Sequence, residues 1–83
     1  MSFSVYILYS PAHNKYYIGS CEDMGIRLEQ HNKGRNKSTK FRAPWELKYT
    51  ASFPTRSMAV AKEKEIKNKK SRKYIEWLIS SAG

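Results

Sequence analysis

Residues 5–20 of the chain, VYILYSPAHNKYYIGS, contain two short runs of tyrosine and branched aliphatic residues on either side of a turn-forming linker. β-branched and aromatic residues favour strands, whereas the proline and asparagine of the linker SPAHNK favour a turn. We therefore predict strands over residues 3–9 and 16–20, joined as an antiparallel hairpin.

The register of this hairpin determines which tyrosines lie together. A linker of six residues places Tyr9 opposite Tyr16. Because side chains alternate between the two faces of a sheet, we expect Tyr6 and Tyr17 to project from the same face. Four of the chain's six tyrosines lie in the hairpin. Their number there also has a simple explanation, since tyrosine is a common strand former.

The segment after the hairpin has the features of a helix followed by a loop. Ser20, followed three residues later by Asp23, resembles a capping box, so we predict a helix over residues 22–32. Residues 33–44 are polar and basic and lack a hydrophobic period. They are predicted to form a loop.

The second half of the chain predicts one strand and two helices. Residues 45–53 alternate as a strand does, and a helix is predicted over residues 56–69. A third helix is predicted to begin near Ser71 as its N-cap, with a core face formed by Tyr74, Ile75, Leu78 and Ile79. The expected fold is α+β, a small three-stranded antiparallel sheet flanked by three helices in the order β-β-α-β-α-α. A single domain should span residues 1–83.

The composition is that of a small basic protein. Lys and Arg number 16 against 7 Asp and Glu, which gives a net charge of +9 in 83 residues. This balance is typical of proteins that contact nucleic-acid phosphates, although it also occurs in proteins that are basic for solubility. Cys21 is the only cysteine, which excludes a disulfide framework within the chain and fits a reducing compartment. No apolar run approaches the roughly 18 residues of a membrane span, so we expect a cytoplasmic protein without membrane contact.

Three parts of the chain together form a recognisable pattern. The hairpin contains VYI at residues 5–7 and YIG at residues 17–19, the next predicted helix contains Arg27 and His31, and Glu63 lies in the helix after the third strand. This pattern resembles the signature of the GIY-YIG nuclease family. The resemblance covers nearly the whole chain and is greatest to the small single-domain bacterial members of the UPF0213 type.

The resemblance implies hydrolysis of DNA phosphodiester bonds, with catalytic roles for Tyr6, Tyr17, Arg27 and His31. Negative charge builds up on the phosphoryl oxygens during this reaction, and the planar guanidinium of Arg27 is suited to stabilise it. A tyrosine can accept or relay the proton of the attacking water if a cation lowers its pKa. His31 can act as a base or orient a phenol.

The resemblance also implies a divalent metal, Mg²⁺ or Mn²⁺, held by Glu63, and a structural role for Gly19 where the backbone approaches closely. The expected partner is DNA, or alternatively RNA, bound through basic residues near the site: Lys37, Lys40, Arg42, Lys62, Lys67 and Lys70. DNA repair or recombination is the expected setting. A protein partner would supply substrate specificity, because family nucleases usually carry a separate binding domain.

Two other functions are compatible with the sequence. A non-catalytic nucleic-acid-binding module that keeps the nuclease fold is favoured by a departure from the family pattern. Many members use an asparagine well after the metal-binding glutamate, and this chain has only Asn68 there. An adaptor for a protein partner is the third hypothesis. Without the motif, Arg27 is interpreted as an exposed helix residue and Glu63 as part of a surface charge lattice.

Overall fold

The structure, a computed structural model, describes residues 2–22, 24–33 and 44–82 of the chain. Within these ranges it contains one three-stranded antiparallel sheet and three helices, in the order β-β-α-β-α-α. The elements are β1 Phe3–Ser10, β2 Lys15–Cys21, α1 Met24–Asn32, β3 Glu46–Phe53, α2 Arg56–Lys69 and α3 Arg72–Ala82. The predicted fold class and element order are confirmed. Most of the predicted loop, residues 34–43, lies outside the described residues.

The sheet has the strand order β2-β1-β3, so the first strand of the hairpin is central. Tyr9 pairs with Tyr16, which confirms the predicted register of the hairpin. The pairing between β1 and β3 shifts register between Ile7 and Leu8. Because this irregularity lies on the β3 side, the alternation of side chains along the hairpin is preserved.

Alternation along β1 divides the core between the two faces of the sheet. On one face, β1 packs against α2 and α3 through Val5, Ile7, Ala59, Ile66 and Leu78. The predicted core face of α3 is confirmed, because Leu78 is buried and its three predicted neighbours pack against the same cluster. The other face carries Tyr6, Leu8 and Trp45, with Leu28 of α1 packed against them. Tyr6 and Tyr17 therefore share the second face with α1, whereas Glu63 belongs to α2, which packs on the first face.

The two C-terminal helices begin and end at recognisable caps. The Thr55 hydroxyl accepts a hydrogen bond from the Met58 amide at 3.2 Å at the start of α2. The Ser71 hydroxyl accepts one from the Tyr74 amide at 3.2 Å, as the prediction of an N-cap at Ser71 requires. Lys70 lies between the helices in the left-handed conformation (φ 49°), which separates α2 from α3. No helix in the described ranges is long and apolar enough to cross a membrane.

The prediction that Ser20 caps the first helix is wrong. Ser20 lies within β2, where it pairs with Val5, and α1 begins only at Met24. Its hydroxyl donates a hydrogen bond to a carboxylate oxygen of Glu63, 43 residues later, at 2.7 Å. A cap is a local contact, whereas strand pairing and a distant acceptor decide the position of this residue.

Candidate active site

Tyr6 is buried at the centre of the sheet and is 2% exposed. Its partner across the hairpin is Gly19. A Cβ atom placed on Gly19 would lie 2.6 Å from Cζ of Tyr6 and closer still to its hydroxyl oxygen. The absence of a side chain at Gly19 therefore makes the space that the Tyr6 ring occupies.

Tyr17 lies beside Tyr6 on the same face of the hairpin. The two ring centroids are 6.3 Å apart, with the planes inclined by 29°. The edge of Trp45 contacts Tyr17 at a centroid distance of 6.1 Å. The two phenols share one face of the sheet, as the register predicted. Tyr6, Tyr17 and Trp45 pack together on that face as an aromatic row.

Asn32 connects the end of α1 to the start of β3. Its side-chain oxygen accepts a hydrogen bond from the Trp45 amide, and its side-chain nitrogen donates to the Trp45 carbonyl at 3.3 Å. This two-way contact holds α1 against the aromatic row and so positions Arg27 on that helix. Neither Asn32 nor Trp45 was selected from the sequence, because their contact spans the predicted loop.

Arg27 is half-buried on α1 and lines an open cleft of about 190 Å³. Ser20 and Gln30 also line this cleft, as does Arg56 at the first turn of α2. The Arg56 guanidinium lies over the Phe3 ring, 5.2 Å from its centroid. Two arginines thus border one cleft, together with the acidic Glu22, and guanidinium groups are suited to bind phosphate oxygens. The sequence reasoning missed Arg56, which carries no motif.

Glu63 projects from α2, and its side chain is 19% exposed. One carboxylate oxygen accepts the Ser20 hydroxyl and the other accepts the Lys67 ammonium, each at 2.7 Å. Burial alone would raise the pKa of Glu63, but the hydrogen bonds from Lys67 and Ser20 and the charges of Lys67 and Lys64 together lower it. Glu63 is therefore an ionised carboxylate at neutral pH.

The pKa of the Tyr6 phenol depends on its burial and on several of these residues. Burial raises the pKa of Tyr6 well above its ordinary value, and the neighbouring Tyr17 raises it further. The positive charge of Arg27 opposes this shift, while the negative charge of Glu63 adds to it. Groups from β2, α1 and α2 thus act on one phenol, which is protonated at neutral pH.

Tyr9 and Tyr16 lie on the opposite face of the hairpin and hold its turn. Their ring centroids are 4.9 Å apart, and the Tyr9 hydroxyl donates to the Asn14 side chain at 2.7 Å. The Arg72 guanidinium lies 5.0 Å from the Tyr16 centroid and donates to the Asn14 carbonyl at 3.1 Å. These contacts stabilise a turn in which Asn14 has a positive φ of 53°. The four hairpin tyrosines therefore form two pairs, one on each face of the sheet.

Comparison with known proteins identifies the family of the chain. Residues 2–75 match the GIY-YIG catalytic domain. The chain belongs to the GIY-YIG family. This match contains the hairpin, Arg27 and Glu63, and it confirms the resemblance deduced from the motifs.

Similar proteins of this family carry the name UPF0213. The UPF0213 proteins of Staphylococcus aureus strains Mu3 and N315 are 42% identical to the chain over 52 residues, which cover 61% of this chain and 63% of each relative. The match thus spans somewhat less than two thirds of the length of these relatives. The solution NMR structure of the UPF0213 protein BH0048 from Bacillus halodurans superposes with a TM-score of 0.63 at 34% identity, covering 100% of this chain and 87% of that chain.

The donor set of this GIY-YIG domain fits a metal held by a single carboxylate. No group of three or more histidine, cysteine, aspartate or glutamate side chains comes together among the described residues. Mg²⁺ is often bound through one or two carboxylates, with water and substrate phosphate completing its ligands. Glu63 is ionised and partly exposed, as such a ligand must be. The Lys67 ammonium is paired with one of its oxygens.

The remaining predicted residues divide between described and undescribed parts of the chain. His31 belongs to α1, but its side chain lies outside the described structure, as do Lys37, Lys40 and Arg42. Lys62 pairs with Glu65 at 2.7 Å, just as Lys67 pairs with Glu63. Lys70 is exposed at the end of α2. Their roles in binding nucleic acid stay predictions.

Proposed function

We propose that this GIY-YIG domain is a metal-dependent endonuclease that hydrolyses DNA phosphodiester bonds, using Mg²⁺ or Mn²⁺. The observation that supports it most strongly is the match of residues 2–75 to the GIY-YIG catalytic domain, which contains Tyr6, Tyr17, Arg27 and Glu63. The Ser20 hydrogen bond holds Glu63 of α2 against the same hairpin that carries the two stacked phenols. Titratable groups held together beside an open cleft are typical of catalytic sites.

In this proposal the two arginines of the cleft bind the scissile phosphate. Arg27 and Arg56 border the same cleft, and their guanidinium groups would stabilise the charge that develops on the phosphoryl oxygens. Glu63 would hold the divalent ion. When bound, the ion supplies Lewis-acid stabilisation of the same charge and lowers the pKa of water. Ser20 keeps the Glu63 carboxylate oriented through its hydrogen bond.

The role of Tyr6 follows from its raised pKa. As a protonated phenol, it donates a hydrogen bond to a phosphate oxygen or to water rather than acting unaided as a base. Tyr6 could act as a base only after it loses its own proton, which requires added positive charge to offset its burial. Tyr17, stacked beside it and half-buried, is the second phenol available to relay that proton. A role in DNA repair or recombination, with a partner protein supplying specificity, is part of this proposal.

The test is nicking of supercoiled plasmid and of branched DNA in Mg²⁺ or Mn²⁺. Glu63→Ala should abolish nicking, and chelation of the metal should do the same. Glu65→Ala is the matched control, since Glu65 lies two residues away on α2 and is also paired with a lysine. If wild type and Glu63→Ala leave every form of DNA equally intact, the proposal fails.

A second candidate is a non-catalytic nucleic-acid-binding module. It is supported by the state of Glu63, because both oxygens already accept hydrogen bonds from Ser20 and Lys67. This function predicts binding that is insensitive to chelators and to Glu63→Ala but is weakened by neutralising lysines of α2. Gel-shift titrations with and without chelator discriminate between the two functions.

A further inference from the structure

Trp77 is an exposed aromatic residue on α3. Trp77 is 60% exposed, whereas Trp45 is 4% exposed. The Trp77 ring stacks on Tyr74 at a centroid distance of 5.9 Å and an interplanar angle of 29°. Tyr74 itself packs against the hydrophobic core, so the outer ring is held by an anchored one. One flat aromatic surface is thereby presented to solvent.

Lysines surround this aromatic pair. The Lys69 ammonium lies over the Tyr74 ring, 5.5 Å from its centroid. Lys73 is exposed one helical turn before Trp77, on the same side of α3. The nearby acidic residues are already paired, Glu65 with Lys62 and Glu76 with Arg72. The surface around Trp77 is therefore positively charged.

We infer that Trp77 and Tyr74, with Lys69 and Lys73, form a stacking platform for unpaired bases of single-stranded nucleic acid. Any base can stack on an exposed aromatic ring, and lysines beside the ring attract the phosphates that flank that base. The platform is distinct from the cleft of Arg27 and Arg56, and nothing in the GIY-YIG motif includes it.

A nucleic acid suits this surface better than a protein partner does. Protein interfaces bury about 800 Å² on each side, and lysine is depleted from their cores. Here a single exposed tryptophan is bordered by lysines, in a chain with a net charge of +9. That charge complements a polyphosphate backbone.

The platform has a consequence for the choice of substrate, and this step alone rests on the proposed nuclease function. Only Lys70 and Ser71 separate α2, which carries Glu63, from α3, which carries Trp77. A strand held at Trp77 would thus be bound by the helix that follows the one carrying the proposed metal ligand. Substrates with an unpaired arm or overhang should bind more tightly than blunt duplexes.

Tryptophan fluorescence tests the platform directly, with a chelator present so that hydrolysis plays no part. Because Trp45 is buried, oligothymidylate should quench the emission of Trp77. Trp77→Ala should weaken binding about fivefold or more with an unchanged salt dependence, while Trp77→Phe should retain most of the affinity. Met58→Ala is the control, since it removes an exposed apolar side chain of α2 and should not change affinity. Lys73→Gln should lower the slope of affinity against salt.

Three outcomes would overturn the platform. The first is equal binding by Trp77→Ala and wild type, and the second is equally tight binding of an oligonucleotide whose sites are all abasic. The third is a dimer in sedimentation analysis that Trp77→Ala converts to a monomer without any loss of oligonucleotide affinity, which would make the surface a contact between copies. A failure of plasmid nicking with normal fluorescence quenching would count against the nuclease function only.

Discussion

At the scale of single residues, Gly19 has a role that its motif does not explain. A Cβ at this position would overlap the Tyr6 ring, 2.6 Å from Cζ. We expect Gly19→Ala to displace Tyr6 and to lower the free energy of unfolding by about 1–3 kcal/mol. Urea denaturation measures this loss, and nicking activity should fall with it. Gly25→Ala, in an exposed position of α1, should leave stability unchanged or slightly higher, because alanine favours helices.

The lowered pKa of Glu63 in the folded chain predicts that stability depends on pH. Its pKa is lowered in the folded state, so the unfolded chain takes up a proton at higher pH than the folded chain does. The stabilisation is present above the ordinary carboxylate pKa of about 4.3 and disappears as pH falls through the lower folded value. Thermal unfolding of wild type and Glu63→Gln should differ at pH 7 and converge in strong acid. A difference that persists at the lowest pH would contradict this origin.

If Glu63 holds the proposed metal, Lys67 is expected to compete with it. The Lys67 ammonium lies 2.7 Å from one carboxylate oxygen, so its positive charge opposes the approach of a cation. Lys67→Met should raise the affinity for Mn²⁺ about two- to fivefold, the range expected for an exposed ion pair. Water-proton relaxation measures this affinity without any substrate. Lys64→Met is the matched control, because Lys64 acts on Glu63 through its charge alone and should have a smaller effect. Equal effects of the two substitutions would exclude direct competition.

At the scale of elements, the contact of Asn32 with Trp45 holds the first helix in place. Asn32→Ala removes both hydrogen bonds to the Trp45 backbone. We expect it to lower the free energy of unfolding by about 1–3 kcal/mol, since buried backbone groups lose their partner. Urea denaturation checks this value. Asn68→Ala, in an exposed position of α2, should change stability by less than about 0.5 kcal/mol.

The elements themselves were largely predictable, because local patterns determine them. The hairpin register followed from the linker length, and α2 has the predicted bounds, residues 56–69. The start of the first helix was placed too early, because Ser20 was assigned to a cap. A hydroxyl just before a helix usually indicates an N-cap. Here Ser20 instead lies within a strand and donates its hydrogen bond to Glu63.

At the scale of the whole molecule, long-range contacts account for what the sequence did not reveal. Tyr6, Tyr17, Arg27 and Glu63 were proposed from the sequence because the motif preserves their order along the chain. Arg56 and the contact of Ser20 with Glu63 belong to no such pattern, since they depend on how α2 packs against the edge of the sheet. Only the folded chain reveals that the cleft is bordered by two guanidinium groups.

Binding of DNA by a chain with a net charge of +9 can be measured separately from its hydrolysis. Glu63→Gln removes one negative charge, so it should tighten the binding of duplex DNA slightly while nicking is lost. Affinity should fall steeply with salt for both proteins, with nearly equal slopes, because the phosphate contacts are retained. Fluorescence anisotropy at several salt concentrations measures both quantities. If Glu63→Gln instead weakened binding in proportion to its loss of activity, Glu63 would act in holding DNA rather than in hydrolysing it.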